Sequence, residues 1–272
     1  MRATVCELPN EIEPLVAAWK ALCEHTVRER SELLVLPEFA FARPVWEIED
    51  FDHSVWRDAE SQSDWWIARL GELGVKHVIG ARPVTAGDGC FNEGFLWSAE
   101  SGYQGLRRKH FLPDEPGGRE TRWFARGDAA FPPYSADSLT FGLNICTELW
   151  ALHTYAAYAI QGVQAVICPR ATCAATAGKW LSVATVAAVR SGAYCLSSNR
   201  AQPDGSYGGA SWIISPDGEL LARTSDQQPF RTLDIDLAAS DLARKTYPRY
   251  VFATHANQTL QTIPTGHLAL RE

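Results

Sequence analysis

Short apolar runs and stretches of helical period take turns along this chain. Residues 2–8 form an apolar run that predicts a strand. Over 11–30, Leu15, Trp19, Leu22, Cys23 and Thr26 recur at helical spacing and predict an amphipathic helix. Leu33-Leu34-Val35-Leu36 is a continuous apolar run stopped by Pro37, which reads as a buried strand. A helix is predicted over 58–73, with Trp65, Trp66, Ala68, Leu70 and Leu73 partly on one face, and a strand over 78–81. Gly87-Asp88-Gly89 is a turn signal, and 91–98 and 105–108 read as paired strands joined through Ser101-Gly102. The segment 109–138, rich in proline, glycine and charge, is expected as a loop. Loops of that length inside a compact domain are usually functional or disordered.

The alternation then repeats. Strand 139–145 leads into a helix over 149–161, strand 165–168 into a helix over 179–191, and strand 194–198 follows. Residues 211–215 and 219–224 form a hairpin that turns at Pro216-Asp217-Gly218, and 230–235 is a further strand. The tail from 238 mixes helix and loop character. There is no Gly/Ser linker, short-period repeat or low-complexity tract. The pattern therefore predicts one layered α/β domain over 1–272, with helices outside.

Composition narrows the class. A chain of 272 residues can bury a substantial core, and 46% hydrophobic with 21% charged residues is ordinary for a soluble globular protein. A net charge of -7 argues against nucleic acid as the main partner. The run Arg107-Arg108-Lys109 reads at first as a solvated patch, unless strand alternation turns one arginine inward. No run of 18 apolar residues occurs and the N-terminus lacks a signal-length apolar stretch, so no membrane partner is expected. Seven cysteines at irregular spacings predict free thiols in a reducing cytoplasm.

Few chemical motifs survive inspection. GxxxxGK[ST], HExxH, GxSxG and CxxC are all absent, and Cys168 and Cys173 have no matching histidine pair. No metal or organic cofactor is expected. The better lead is Leu-Asn-Ile-Cys-Thr-Glu-Leu-Trp at 143–150, which sets Cys146 where a strand hands over to a helix. A helix start offers its dipole and free backbone N–H groups, which lower a thiol pKa and can hold an oxyanion. Free cysteine is also among the most buried residue types, so this octamer alone leaves Cys146 as nucleophile or core. A nucleophile needs a base. None of the seven histidines lies in a cysteine-protease signature, but a desolvated carboxylate can do the same work.

Three segments together resemble the nitrilase superfamily of carbon–nitrogen hydrolases. They are Leu34-Val35-Leu36-Pro37-Glu38-Phe39, Arg107-Arg108-Lys109-His110-Phe111 and Asn144-Ile145-Cys146-Thr147-Glu148. Phe91-Asn92-Glu93-Gly94, Ser198-Asn199-Arg200 and 209–218 are similar to further segments of that family, so the resemblance runs from about residue 2 to residue 250. The stretch from Lys109 through Phe124 to Arg126-Gly127-Asp128 resembles the N-carbamoylputrescine amidase branch.

The resemblance implies a four-layer αββα sandwich that assembles as a homodimer or higher homo-oligomer, with the tail from about 238 contributing to the interface. It implies Cys146 as nucleophile, Glu38 as general base, and Lys109 as oxyanion stabiliser together with the backbone N–H of Thr147. Glu120 would be the family's second glutamate, with Asp114 and Glu115 as neighbouring candidates. Glu148 would act beneath the site through a hydrogen bond or ion pair. Trp150 and Arg170 follow strand ends, where substrate pockets form in α/β sheets. Arg170 would hold a substrate carboxylate or else pair with Glu148 or another acid. The implied reaction is hydrolysis of a small amide or N-carbamoyl compound through a cysteine thioester, with release of ammonia. Two alternatives stand beside it. One is hydrolysis of a small nitrile, although true nitrilases commonly carry Trp-Glu after the cysteine and this chain has Thr147-Glu148. The other is a catalytically idle or acyl-transferring member of the same fold.

Overall fold

The computed structural model describes residues 1–252. The remainder of the tail, 253–272, lies outside the described residues. Strands β1 (Arg2–Leu8), β2 (Leu33–Glu38) and β3 (His77–Ala86) run parallel, and β4 (Gly89–Ser98) and β5 (Gly102–Arg108) continue the sheet antiparallel. A short hairpin, β6 (Asp114–Glu115) and β7 (Gly118–Arg119), follows. A second sheet starts with the antiparallel pair β8 (Tyr134–Ala136) and β9 (Leu139–Leu143). It continues with β10 (Ala165–Arg170) and β11 (Tyr194–Arg200) in parallel, then with β12 (Trp212–Ile214) and β13 (Leu220–Arg223) antiparallel. Strand β14 (Phe230–Asp234) returns to pair antiparallel with β1. Helices are α1 (Ile12–Glu29), α2 (His53–Ile67), α3 (His153–Ile160), α4 (Ala177–Ser191) and α5 (Leu237–Ala243).

The layers can be read from what each strand face buries. Side chains alternate across a strand, so each sheet has two apolar faces to cover. Val5, Leu33, Val35 and Ile79 of the first sheet pack on Phe141, Leu143, Ile167 and Leu196 of the second. The opposite face of the first sheet, with Leu8, Leu34, Leu36 and Val78, is covered by Leu15, Trp19 and Leu22 of α1 and Trp66 of α2. The opposite face of the second sheet, with Val166, Cys168 and Cys195, is covered by Tyr155 and Tyr158 of α3 and Val183, Ala184 and Ala187 of α4. The order is helix, sheet, sheet, helix. Gly94 lets the inner faces meet closely, because a Cβ there would sit 2.4 Å from Cδ2 of Leu143.

Three sequence expectations change. The helix expected over 58–73 starts earlier, at His53, because the Asp52 carboxylate accepts the Ser54 and Val55 N–H groups as an N-cap. A separate 3₁₀ turn covers Leu70–Leu73. The loop expected over 109–138 carries the β6–β7 hairpin, a 3₁₀ turn at Glu120–Arg122 and β8. The helix expected over 149–161 is α3, which starts only at His153. Before it, Cys146–Trp150 is a 3₁₀ turn.

Candidate active site

Four of the singled-out side chains meet at one end of the inter-sheet core. Glu38 is the last residue of β2, where the pairing with β3 slips between Val35 and Glu38. Pro37, lacking an N–H, fits that irregular position. The next residue, Phe39, has φ 51°. Buried Arg200, at the end of β11, donates to the carbonyls of Phe39 and, at 2.9 Å, Ala42, which anchors the chain just past Glu38. Lys109 follows β5 directly. Its N–H donates to Asn92 O at 2.8 Å and its carbonyl accepts from Gly127 N–H at 2.9 Å, so the backbone is held on both sides. Glu120 opens the 3₁₀ turn after the hairpin.

The Lys109 ammonium donates to Glu38 Oε1 at 2.8 Å and to Glu120 Oε1 at 2.7 Å. Asn92 Nδ2 also donates to Glu38 Oε1, at 2.7 Å. The second oxygens of both carboxylates, and Asn92 Oδ1, are buried and take no hydrogen bond among the described residues. Burial alone would lower the lysine pKa, but the carboxylates of Glu120 and Glu38 outweigh it and hold it well above its ordinary value. Lys109 is therefore an ammonium at neutral pH. Burial pushes the Glu120 carboxyl up, and the Glu38 charge adds to that push. The Lys109 ammonium only partly offsets it.

Cys146 is 5% exposed and adopts φ 48°. That left-handed conformation is uncommon for a residue with a side chain and clusters at functional sites. The helix-start expectation of a depressed thiol pKa does not hold. Burial raises it, the Glu38 charge raises it further, and Lys109 and the Ala171 N–H only partly counter them. The thiol is thus protonated at rest, with a carboxylate close enough to feel its charge. Thr147 follows it on the wall of a cavity of about 490 Å³ that also includes Glu120, Trp46, Trp180 and Tyr207. A larger cavity of about 810 Å³, beside Leu8, Pro14 and Phe230, shares only Tyr207 with it and holds none of these four groups.

Glu148 has a different setting. Its carboxylate forms a two-pronged ion pair with Arg107 and accepts the N–H groups of Ile145 at 2.9 Å and His110 at 2.7 Å. It ties the residue before Cys146 to the residue after Lys109. Strand alternation turns Arg107 inward, over the Phe131 ring at 4.1 Å, and leaves Arg108 to pair with Glu93 at 3.2 Å. Arg170 does not pair with Glu148. Its donors go to Ser197 Oγ and Thr172 Oγ1 at 2.7 Å and to Ala210 O at 3.0 Å, and its guanidinium stacks 3.7 Å from the Trp212 ring. Trp150 is 47% exposed and lies edge-on to Trp180, which is the tryptophan that lines the cavity.

Trp46, Glu47, Trp180 and Tyr207 join the wall without having stood out in the sequence. Trp46, Glu47 and Tyr207 lie near the resembling segments along the chain and Trp180 lies apart from them, and no local spacing marks any of the four. No group of three or more His, Cys, Asp or Glu side chains suited to a metal ion occurs among the described residues. No helix among them is long and apolar enough to cross a membrane.

Comparison with known proteins bears on the family and the fold. The family model for carbon-nitrogen hydrolases matches residues 2–245. The N-carbamoylputrescine amidase of Solanum lycopersicum is 26% identical over 160 residues, which is 53% of this chain and 53% of that protein. The match thus spans about half the length of that curated relative. The crystal structure of a carbon-nitrogen hydrolase from Helicobacter pylori G27 superposes with a TM-score of 0.81 at 20% identity, over 96% of this chain and 98% of that one. A mutant of the amidase from Nesterenkonia sp. AN1, carrying acrylamide added at its active-site cysteine, superposes with a TM-score of 0.69 at 16% identity, over 94% of this chain and 99% of that one. Matched along nearly its whole described length and folded as an αββα sandwich, the chain belongs to the carbon-nitrogen hydrolase family.

Proposed function

We propose that this chain hydrolyses a primary amide or N-carbamoyl group through a thioester on Cys146. One observation carries the choice of group. Glu38 Oε2, Glu120 Oε2 and Asn92 Oδ1 are buried acceptors with no donor among the described residues, clustered around the Lys109 ammonium. Unfilled buried acceptors are costly, so a ligand that brings donors is favoured there. An amide or carbamoyl NH₂ brings two N–H donors, whereas a nitrile brings none.

In the proposed reaction the Cys146 sulfur attacks the carbonyl carbon while Glu38 takes the thiol proton. The developing oxyanion is held by Lys109 and the Thr147 N–H. Collapse expels ammonia, which carries away the proton returned by Glu38 and leaves the acyl thioester. Water, deprotonated by Glu38, then attacks the thioester and frees the acid and the thiol. Glu120 keeps Lys109 charged and in place. Assembly as a homodimer in the cytoplasm belongs to the same reading. Exposed Leu242, Tyr247, Tyr250 and Phe252 favour such a contact, and light scattering would test it.

The test of the reaction is ammonia release with intact-mass spectrometry on wild type and Cys146→Ala, across aliphatic amides, N-carbamoyl amines and nitriles. The expected result is ammonia and an acyl adduct on wild type from amides or carbamoyl compounds. Ammonia from nitriles alone, or undiminished turnover by Cys146→Ala, would overturn the proposal.

A further inference from the structure

The larger cavity, of about 810 Å³, has no part in the proposed reaction, since none of Glu38, Lys109, Glu120 and Cys146 lines it. Its size is that of a small-molecule site. One side is the face of α1 that carries Pro14, Ala18 and Ala21 at helical spacing, and Leu8, Pro229 and Phe230 add further apolar surface. A pair of chain segments separates it from the reactive cavity. The Ala174 N–H donates to Gly205 O at 3.1 Å and the Gly208 N–H to Thr172 O at 2.8 Å, and a Cβ on Gly208 would sit 2.5 Å from the Ala174 Cα. The partition is therefore backbone packed on backbone, and among the described residues Tyr207 alone lines both cavities.

Glu7 makes this cavity more than an apolar groove. It lies near the end of β1, is 4% exposed and lines the cavity. Both hydrogen bonds of its carboxylate fall on one oxygen. Oε1 accepts the Ala210 N–H at 2.7 Å and the Thr224 hydroxyl. Gly209, at φ 52°, leaves room for the carboxylate, since a Cβ there would sit 2.6 Å from Oε2. Oε2 itself has no hydrogen-bond partner among the described residues. No lysine or arginine among them lines the cavity. The charge of buried Arg170 reaches Glu7, but its donors are engaged by Ser197, Thr172 and Ala210. Burial pushes the Glu7 carboxyl above its ordinary range. Glu11 and Asp226, both exposed, line the same cavity and make no ion pair among the described residues.

A fixed carboxylate with one free oxygen, set in an apolar cavity, favours one kind of ligand. The walls take an apolar body, and Oε2 takes a charged N–H donor. A hydroxyl would supply the bond without the charge. An anion would enter desolvated and unpaired, which is strongly unfavourable. We propose that this cavity is a second binding site, separate from the reaction centre, for a small primary ammonium on an apolar body. Glu7 holds the ammonium, and Glu11 and Asp226 add attraction at the entrance.

Calorimetric titration with 2-phenylethylamine, 2-phenylethanol and 3-phenylpropionate, which end in an ammonium, a hydroxyl and a carboxylate, tests this on the full chain. The amine is expected to bind at least about tenfold more tightly than the alcohol, and the acid to give no heat. Glu7→Gln, which keeps an acceptor for the Ala210 N–H, should remove the advantage of the amine over the alcohol. Ala18→Trp, from the half-buried middle of the helical wall, should fill the cavity and abolish binding with the circular dichroism of wild type. Where Ala18→Trp fails to fold, Glu7→Gln alone decides. Equal binding of amine and alcohol, an amine affinity untouched by Glu7→Gln, binding that survives Ala18→Trp, or no heat from the amine at millimolar concentration overturns the proposal. Each of these outcomes leaves the hydrolase reading standing, because Glu7 and Ala18 lie outside the reactive cavity.

Discussion

Two ionic clusters lie buried side by side, and they are finished to different degrees. Around Glu148 the bonding is complete. Both carboxylate oxygens serve Arg107, and each also accepts a backbone N–H. Around Lys109 it is not. One oxygen of Glu38 and one of Glu120 take the ammonium, and their second oxygens take nothing among the described residues. A saturated buried pair rigidifies its surroundings and has no capacity left for a ligand. An unsaturated one holds back bonding capacity until a ligand supplies donors. On the proposed reaction, the contrast separates what holds this site in shape from what reacts in it.

That contrast can be broken by mutation. The largest effects are expected at the reacting groups. Cys146→Ala should remove ammonia release to below detection, about 10⁴-fold or more. Glu38→Gln should lower kcat by about 10²- to 10⁴-fold. It also deletes a charge that raises the thiol pKa, so iodoacetamide should modify Cys146 faster in this variant than in wild type at equal pH. Slower modification would show that proton removal by Glu38 outweighs its effect on the thiol pKa. Next, Arg107→Met should cost roughly 3–5 kcal/mol of unfolding free energy by stranding the Glu148 charge, with Arg107→Lys recovering part of it. Glu120→Gln should cost less, because Lys109 keeps Glu38 as a charged partner, while kcat falls. Equal stability losses in Arg107→Met and Glu120→Gln would erase the distinction between the clusters.

A pH profile gives a smaller effect with a definite sign. Because the folded thiol pKa lies above its ordinary value, the thiolate fraction at pH 7 is below that of a free cysteine. The alkylation rate of wild type should keep climbing beyond about pH 9, the ordinary thiol range, and a plateau by about pH 8 would contradict the burial described above. The smallest change is expected for Trp150→Ala, within about threefold in KM, since its ring sits outside the cavity. Trp180→Ala should raise KM more. Steady-state kinetics on both variants decides whether the wall stops at Trp180.

Much of this was legible in the sequence, for physical reasons. Buried strands announce themselves as apolar runs, and α1 and α4 through helical spacing, because burial imposes those periods. Glu38, Lys109, Glu120 and Cys146 stand out along the chain because each lies in a motif of the resembled family. Sequence and structure part where side chains fold back on the backbone or meet across the sheets. The turn at Cys146 is 3₁₀ and not the start of α3, since Glu148 reaches back to the Ile145 N–H. Arg107 reads as part of a surface run, and only the pairing of β5 with β4 shows which of the two arginines faces inward. Trp150 stands next to the motif along the chain, while the cavity is completed by Trp180 from α4, which no local pattern connects to Cys146.

The hairpin between Lys109 and Glu120 has a consequence for how such a protein can change. Its two ends are pinned by one short ion pair between residues eleven apart, and its tip, with Gly117 at φ 80°, carries Glu115 to the cavity mouth. The exchangeable part is the exposed tip at 114–117, because the His110 N–H is held by Glu148 and Leu112 is buried in the core. A lineage can trade that tip, and the charge it sets at the cavity mouth, without disturbing the residues that meet around Lys109.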